Sequence, residues 1–218
     1  MIKSYVMRKG RYTTAQKKAY DTSGEKYLLI FSQREIDFKE IFSNENGVTL
    51  EIGFGMGDAT AEIAQANPDK NYLGIEVHRP GIGRLLWEIE KKSLCNVRII
   101  EHDAVSVTQK MIPKNSLDAV HIFFPDPWPK KRHRKRRLIQ RPFTDTLVSC
   151  LKQGGYLYMV TDWEDYALHA LEELSASCAL RNAYETFAQP QSWRPLTKFE
   201  QKGMNKEHVI RELYFIKR

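Results

Sequence analysis

An acid next to a glycine-rich turn is the first chemical signal in this sequence. Glu51 lies inside a short β-rich run and precedes glycines that alternate as G-x-G-x-G, namely Gly53, Gly55 and Gly57. Glycines at a strand-to-helix turn let the backbone approach a ligand closely. A dinucleotide site uses G-x-G-x-x-G instead. A carboxylate at Glu51 would repel a pyrophosphate, but it suits the ammonium group of a methionine moiety.

Two further acids follow the next two β-rich runs. Glu76 lies 19 residues after Gly57, where a Rossmann-type site places an acid against ribose hydroxyls. Asp103 follows the third run, and its side chain suits an adenine amino group. Taken alone, each acid could equally be an ordinary surface residue or a ligand-binding residue. Because the carboxyl ends of parallel strands line one crevice, the three acids together predict a pocket for S-adenosylmethionine.

A second site is predicted in the proline-rich sequence FPDPWP, residues 124–129. Pro125 and Pro127 flank Asp126 and restrict the backbone on both sides, which would hold the carboxylate rigidly. A rigid acid beside an aromatic such as Trp128 can seat a flipped-out base through hydrogen bonds and stacking. We therefore predict that Asp126 is catalytic; a surface aspartate in a proline-rich loop is the alternative.

A dense basic run follows directly and contains no acid. The candidates for nucleic-acid contact are Lys130, Arg132, His133, Arg134, Lys135, Arg136 and Arg137. Phosphate contacts dominate affinity for nucleic acids, so such a run beside a cofactor crevice would hold a phosphate backbone. A nuclear localisation signal is the competing interpretation, which the position between a predicted strand and a predicted helix disfavours. No second metal ligand is suitably spaced from His133, so we expect no metal.

Charge and cysteine content point to the same class of partner. The net charge is +7, yet residues 1–20 and 130–141 together hold 14 basic residues and no acid. The rest of the chain carries −7, the difference between those values, which favours a polyanionic partner held at defined places. Three widely spaced cysteines indicate reduced core thiols in a cytosolic protein. No apolar run is long enough for a membrane span.

The acids and the basic run must be positioned by alternating strands and helices. Strands are predicted at 48–53, 71–77, 97–101, 117–124 and 156–161, with tail strands at 182–187 and 209–216, and helices at 58–67, 82–92, 138–151 and 163–177. This alternation predicts a parallel sheet with right-handed crossovers. Residues 1–45 form a basic lead-in with no assigned structure, and residues 46–218 form one catalytic domain.

Five motifs in this order resemble the bacterial tRNA (guanine-N7)-methyltransferase family. They are VTLEIGFGMG, GIEVHRPG, FFPDPWPKKRHRKRR, TDW and TKFEQKG, and the resemblance covers essentially the whole chain. It implies an α/β class I S-adenosylmethionine-dependent methyltransferase fold. This Rossmann-like fold has a mostly parallel seven-stranded sheet with helices on both faces. The implied reaction forms 7-methylguanosine in the variable loop of tRNA, at position 46.

The resemblance also implies residue roles. Glu51, Glu76, Asp103 and Asp126 match the positions that line the cofactor and reaction site, and residues 132–137 match the RNA-interacting run. The matched substrate-contacting positions are Lys130, Asp162, Thr197, Lys198, Phe199 and Glu200. By composition alone, Asp162 and residues 197–200 are ordinary loop residues.

The implied chemistry requires little acid–base machinery. Guanine N7 has a free lone pair and no proton, so attack on the methyl group requires no general base, and positioning provides most of the catalysis. Asp126 would stabilise the cation that forms. A small-molecule methyltransferase, a non-enzymatic RNA-binding protein and a methyltransferase for another RNA site such as rRNA remain alternatives. The chain could act as a monomer or a homodimer.

Overall fold

The computed structural model describes residues 4–5, 12–196, 200 and 209–218. The chain divides into two compact units. The N-terminal unit comprises Met7–Pro113, and the C-terminal unit comprises Met1–Val6 with Lys114–Arg218. No helix in the described part of the chain is both long and apolar enough to cross a membrane.

The N-terminal unit is a parallel α/β structure. Its elements are α1 (Thr14–Tyr27), β1 (Leu28–Leu29), α2 (Phe38–Phe42), β2 (Val48–Ile52), α3 (Asp58–Ala66), β3 (Asn71–Glu76), α4 (Arg79–Lys92), β4 (Val97–Glu101) and α5 (Ala104–Lys110). The strand order is β1-β4-β3-β2, and every pair is parallel. All five residues of β2 are buried, as expected for a strand covered on both faces. The alternating strands and helices predicted for this region are confirmed.

Helix α1 was not predicted, although it belongs to the same unit as β2 to β4. It begins with a capping box in which the side chains of Thr13 and Gln16 each accept a backbone hydrogen bond from the other residue. It also packs tightly on α4, since a Cβ added to Gly83 would lie 2.5 Å from the carbonyl oxygen of Gln16. Its buried positions include Gln16 and Ser23, and polar residues at such positions hide the apolar periodicity of a helix.

The C-terminal unit combines a parallel pair with an antiparallel edge. Its elements are β5 (Leu117–Phe123), a 3-10 helix (Lys131–Arg136), α6 (Phe143–Cys150), β6 (Leu151–Thr161), α7 (Glu164–Ser175), β7 (Leu180–Asn182) and β8 (Arg211–Lys217). Strands β5 and β6 are parallel, whereas β8 runs antiparallel to both β6 and β7. The two antiparallel tail strands are confirmed, with β7 shorter and earlier than expected.

Three expectations need correction. The helix predicted at 138–151 begins only at Phe143, as α6, because Pro142 lacks an N–H and disfavours helical backbone at the preceding residue. The described residues contain eight strands rather than seven, the addition being the two-residue β1. Of the cysteines predicted to be core thiols, Cys150 is buried, but Cys95 and Cys178 are exposed.

Candidate functional site

The glycine turn has the backbone conformation that its sequence predicted. Gly53, Gly55 and Gly57 have φ angles of 75°, 59° and 73°, a left-handed region that only glycine adopts readily. A Cβ added to Gly53 or Gly55 would meet nothing within 4 Å. The backbone at these two glycines therefore faces open space that a ligand can approach.

Gly81 packs against the glycine turn, a position that the sequence analysis did not assign to the site. A Cβ added there would lie 1.8 Å from the carbonyl oxygen of Gly55, so any side chain would force the glycine turn to move. The signal in the sequence was the HRPG segment at residues 78–81, which ends the motif GIEVHRPG.

Glu76 connects the end of β3 to the glycine turn. One carboxylate oxygen accepts a hydrogen bond from the N–H of Gly55 at 2.9 Å. The other accepts from the N–H groups of Val77 at 2.6 Å and His78 at 3.0 Å. Three backbone donors thus hold one carboxylate at the position where a ribose-binding acid was predicted.

Glu51 is the most deeply buried of the predicted cofactor acids, at 3% exposed. Burial raises the pKa of its carboxyl group to about 7; the nearby Thr60 hydroxyl opposes this rise, and the charge of Glu76 adds to it. A buried acid of this kind gains most from an opposite charge, because a cation restores the ionised form.

Asp103 is the N-cap of α5. One of its carboxylate oxygens accepts hydrogen bonds from the N–H of Ser106 at 2.9 Å and from the Ser106 hydroxyl at 3.1 Å. This cap fixes the orientation of the carboxylate at the carboxyl end of β4. The N-terminal unit therefore places all three predicted acids at or directly beside the carboxyl ends of β2, β3 and β4.

In the C-terminal unit, Asp126 lies between two residues with unusual backbone geometry. Phe124 has φ of 49° and Trp128 has φ of 46°, which is strained for aromatic residues. The N–H of Phe124 donates to the Val160 carbonyl at 2.8 Å, which connects the start of this turn to β6. Together with the prolines, this geometry restricts the backbone on both sides of Asp126.

Trp128 does not have the stacking role expected of it. It is only 8% exposed, and the guanidinium of Arg136 lies over its ring, 4.0 Å from the centroid. Its indole N–H donates to the Ser4 carbonyl oxygen at 3.0 Å. The Trp128 side chain therefore anchors residues 4–5 and does not offer an open aromatic face.

The basic run is divided by burial. Arg137 is 1% exposed; its guanidinium donates to the Pro127 carbonyl at 3.0 Å, ion-pairs with Asp165 and lies over the Tyr166 ring. The prediction that Arg137 contacts RNA is corrected accordingly, since this side chain joins two parts of the unit. The sequence around Arg137 gave no indication that Asp165 would pair with it.

The other cations of the run are accessible or partly accessible. Lys130, Arg132, Arg134 and Lys135 are exposed, and His133 is half-buried. Arg134 also pairs with Asp165 at 2.8 Å. Desolvation lowers the pKa of His133, as do the charges of neighbouring Arg and Lys residues. His133 is therefore expected to be neutral near pH 7.

The remaining predicted substrate positions differ in accessibility. Asp162 is half-buried and directly follows β6. Glu200 is 4% exposed and forms two hydrogen bonds, of 2.6 and 2.7 Å, with the Arg194 guanidinium. Glu200 therefore forms a buried ion pair and is not exposed to a substrate. The prediction that Glu200 contacts the substrate is corrected accordingly. Thr197, Lys198 and Phe199 lie outside the described residues.

No metal-binding cluster is present among the described residues, since they include no group of three His, Cys, Asp or Glu side chains suitably placed.

Comparisons with known proteins agree on one family. A family model described as "Putative methyltransferase" matches residues 45–213. The chain is 52% identical over 216 residues to a tRNA (guanine-N(7)-)-methyltransferase of Nitrosomonas eutropha, covering 99% of this chain and 96% of that protein. It is 50% identical over 217 residues to one of Nitrosospira multiformis, covering 100% and 95%.

Solved structures support the fold. The crystal structure of the 16S rRNA methyltransferase KamB matches with a TM-score of 0.62 and 14% identity, covering 85% of this chain and 96% of that one. At that identity the likeness shows the fold alone, which is the α/β Rossmann-like fold of class I methyltransferases.

Proposed function

The chain belongs to the tRNA (guanine-N(7)-)-methyltransferase family, and from this premise we propose that it transfers the methyl group of S-adenosylmethionine to N7 of a tRNA guanosine. The observation that carries the proposal is about 50% identity to relatives with that name over nearly the full length of both chains. The target is the guanosine in the variable loop, and the protein acts in the cytoplasm.

The acids of the N-terminal unit fit S-adenosylmethionine by their chemistry. The buried Glu51 carboxyl group would be ionised by the ammonium of the methionine moiety and would pair with it. Glu76 would bind the ribose hydroxyls and Asp103 the adenine amino group. The open space at Gly53 and Gly55 allows the backbone to lie against the ligand. When bound, the cofactor supplies a methyl group on a positively charged sulfur.

The role of Asp126 is to orient the guanine and to stabilise positive charge. Guanine N7 has a lone pair and no proton, so no residue has to act as a general base. Methylation places a positive charge on the purine, which a carboxylate stabilises if it is already held in position. The strained turn around Asp126 provides that preorganisation.

We assign phosphate binding to the accessible cations of the basic run. Lys130, Arg132, Arg134, Lys135 and Arg136 form this set, and Arg137 is excluded because it is buried. The half-buried His133 would contact RNA beside these cations. Asp162 would contact the substrate beside the end of β6, and Thr197, Lys198 and Phe199 are retained as substrate positions on the family resemblance.

The proposal is tested by methyl transfer from labelled S-adenosylmethionine to unmodified tRNA transcripts, followed by nucleoside analysis. We expect label as 7-methylguanosine, and none when the variable-loop guanosine is replaced by adenosine. Label in another nucleoside, or transfer to rRNA fragments in preference to tRNA, would overturn the assignment of the site. Transfer to neither RNA, with the cofactor bound, would favour the small-molecule alternative; binding of RNA without cofactor would favour a non-enzymatic protein.

A further inference from the structure

The four tryptophans of the chain differ in whether their rings are covered. Cations lie over Trp87, with Arg84 4.5 Å and Lys91 4.9 Å from the ring centroid. Trp128 is covered by Arg136, and Trp193 stacks on a histidine ring. Trp163 is 37% exposed, and its ring stacks on no other side chain in the described part of the chain. Trp163 is therefore the most exposed of the four tryptophans.

The sheet register places Trp163 at the same edge as Asp126. Strands β5 and β6 are parallel, with Phe123 opposite Val160. Asp126 is three residues beyond Phe123, and Trp163 is three residues beyond Val160. Both residues therefore follow the carboxyl ends of adjacent parallel strands, which is the edge where ligands bind in such sheets.

A buried side chain also fixes the two turns relative to each other. The Arg137 guanidinium donates to the carbonyl of Pro127, the neighbour of Asp126, and ion-pairs with Asp165 in the first turn of α7. Burial raises the pKa of Tyr166, in the same turn, to about 12, and the negative charge of Asp126 adds to that rise. The start of α7 is thus held within electrostatic reach of Asp126.

The Trp163 side chain has no structural task that would account for an aromatic residue. Trp163 is the N-cap of α7, but its side chain forms no capping hydrogen bond. Its backbone N–H donates to the Thr161 hydroxyl oxygen at 3.2 Å, a contact that any residue except proline could make. These local contacts therefore do not account for an indole at this position.

We infer that Trp163 is the residue on which the target guanine stacks, in the site where Asp126 faces the reacting base. This inference rests on the proposed function and deepens it. During transfer, the N7 lone pair forms the new bond to the methyl carbon, and the electron pair of the broken carbon–sulfur bond stays on sulfur. Positive charge thereby moves from sulfur to the purine.

An indole suits this change in charge better than other side-chain rings. Indole is the strongest of the aromatic side chains in attracting a cation placed over its face. A guanine stacked on Trp163 would therefore be held more tightly as it becomes cationic, so the stacking would favour the transition state over the neutral substrate. Trp163 would also bind the methylated base more strongly than guanine.

Methyl-transfer kinetics with Trp163→Ala, Trp163→Phe and the control Trp87→Phe provide the first test. We expect Trp163→Ala to lower kcat/KM for tRNA by about 10- to 100-fold, the usual effect of removing one base-stacking ring. Trp163→Phe should retain more activity than the alanine variant, because it keeps a ring. Trp87→Phe should match the unsubstituted protein. Thermal unfolding and S-adenosylmethionine binding should be unchanged in all three variants.

Tryptophan fluorescence with free nucleotides provides a readout that a structural role would not affect. We expect 7-methylguanosine 5′-monophosphate to quench the fluorescence more strongly than guanosine 5′-monophosphate. This quenching should persist in Trp87→Phe and disappear in Trp163→Phe.

The outcomes separate this inference from the proposed function. If the unsubstituted protein forms 7-methylguanosine in tRNA, but Trp163→Ala turns over normally and quenching persists in Trp163→Phe, only the stacking role is overturned. If the unsubstituted protein forms no 7-methylguanosine, the proposed function itself fails.

Discussion

The glycine turn of the N-terminal unit and the FPDPWP turn of the C-terminal unit are built in different ways. In the glycine turn, backbone groups make the essential contacts: three N–H groups hold Glu76, and positive φ angles occur at glycines. In the FPDPWP turn, strained non-glycine residues bracket Asp126, and single side chains such as Arg137 hold the turn in place. Removing a supporting side chain should therefore disturb the second turn far more than the first.

The largest effect is expected at Asp126. Asp126→Asn should lower kcat by about 100- to 1,000-fold, the usual loss when one preorganised electrostatic group is removed. The affinity for tRNA, measured by filter binding, should change little, because phosphate contacts dominate it. Asp118→Asn is the matched control, since this acid pairs with Lys152 on the surface of the same unit. Normal turnover of Asp126→Asn at saturating substrates would contradict the assigned role.

The second effect tests whether Arg137 holds the FPDPWP turn. Arg137→Ala should lower the free energy of unfolding of the protein by about 3 kcal/mol, because it removes a large buried side chain and its hydrogen bond to the Pro127 carbonyl. Arg134→Ala, which removes an exposed pair to the same Asp165, should cost less than about 1 kcal/mol. Urea unfolding followed by circular dichroism measures both values. If both variants lost the same small amount of unfolding free energy, the turn would not depend on Arg137.

A pH titration of cofactor affinity tests the role of Glu51, which precedes the glycine turn. Because burial raises the pKa of Glu51 to about 7, its carboxyl group is mostly protonated at pH 6 and cannot pair with an ammonium. The affinity for S-adenosylmethionine should increase roughly fivefold to tenfold from pH 6 to pH 7.5. It should fall again once the cofactor amine loses its proton near pH 8, an ordinary value for an α-amino group.

Glu51→Gln provides the control for that titration. Isothermal titration calorimetry should show weaker binding and no increase in affinity with pH below 7.5. If the unsubstituted protein bound equally well at pH 6 and pH 7.5, the pairing of Glu51 with the ammonium group would be wrong.

The smallest effect is expected from single exposed cations. Arg132→Ala should weaken tRNA binding a few-fold and reduce the slope of log K against log salt by about 1, while kcat at saturating tRNA is retained. Lys39→Ala, on α2 of the other unit, is the control and should leave the slope unchanged. A loss of kcat in Arg132→Ala would show that this cation also positions the base.

Sequence reasoning succeeded where local pattern determines structure. The strands β2 to β5 are short and mostly apolar or β-branched, and the glycine turn needs the φ angles that its glycines supply. It failed where a side-chain contact formed only in the folded structure decides the outcome. Arg137 and Glu200 resemble surface charges until Asp165 and Arg194 are found beside them.

Two further misses have equally physical causes. Trp128 was expected to stack on a base, but its ring is covered by a cation from within the basic run itself. Helix α1 lacks an apolar stripe, because several of the positions it buries are polar or small.

The contact between Trp128 and Ser4 has a consequence for how the chain is made. Ser4 belongs to the same unit as residues 114–218. Its hydrogen-bond partner, the indole of Trp128, comes 124 residues later in the chain. At about 5–20 residues per second, the ribosome needs many seconds to span that interval. Ser4 therefore gains this partner only after Met7–Pro113 has been synthesised, and until then the segment around it is accessible to cellular proteases and chaperones.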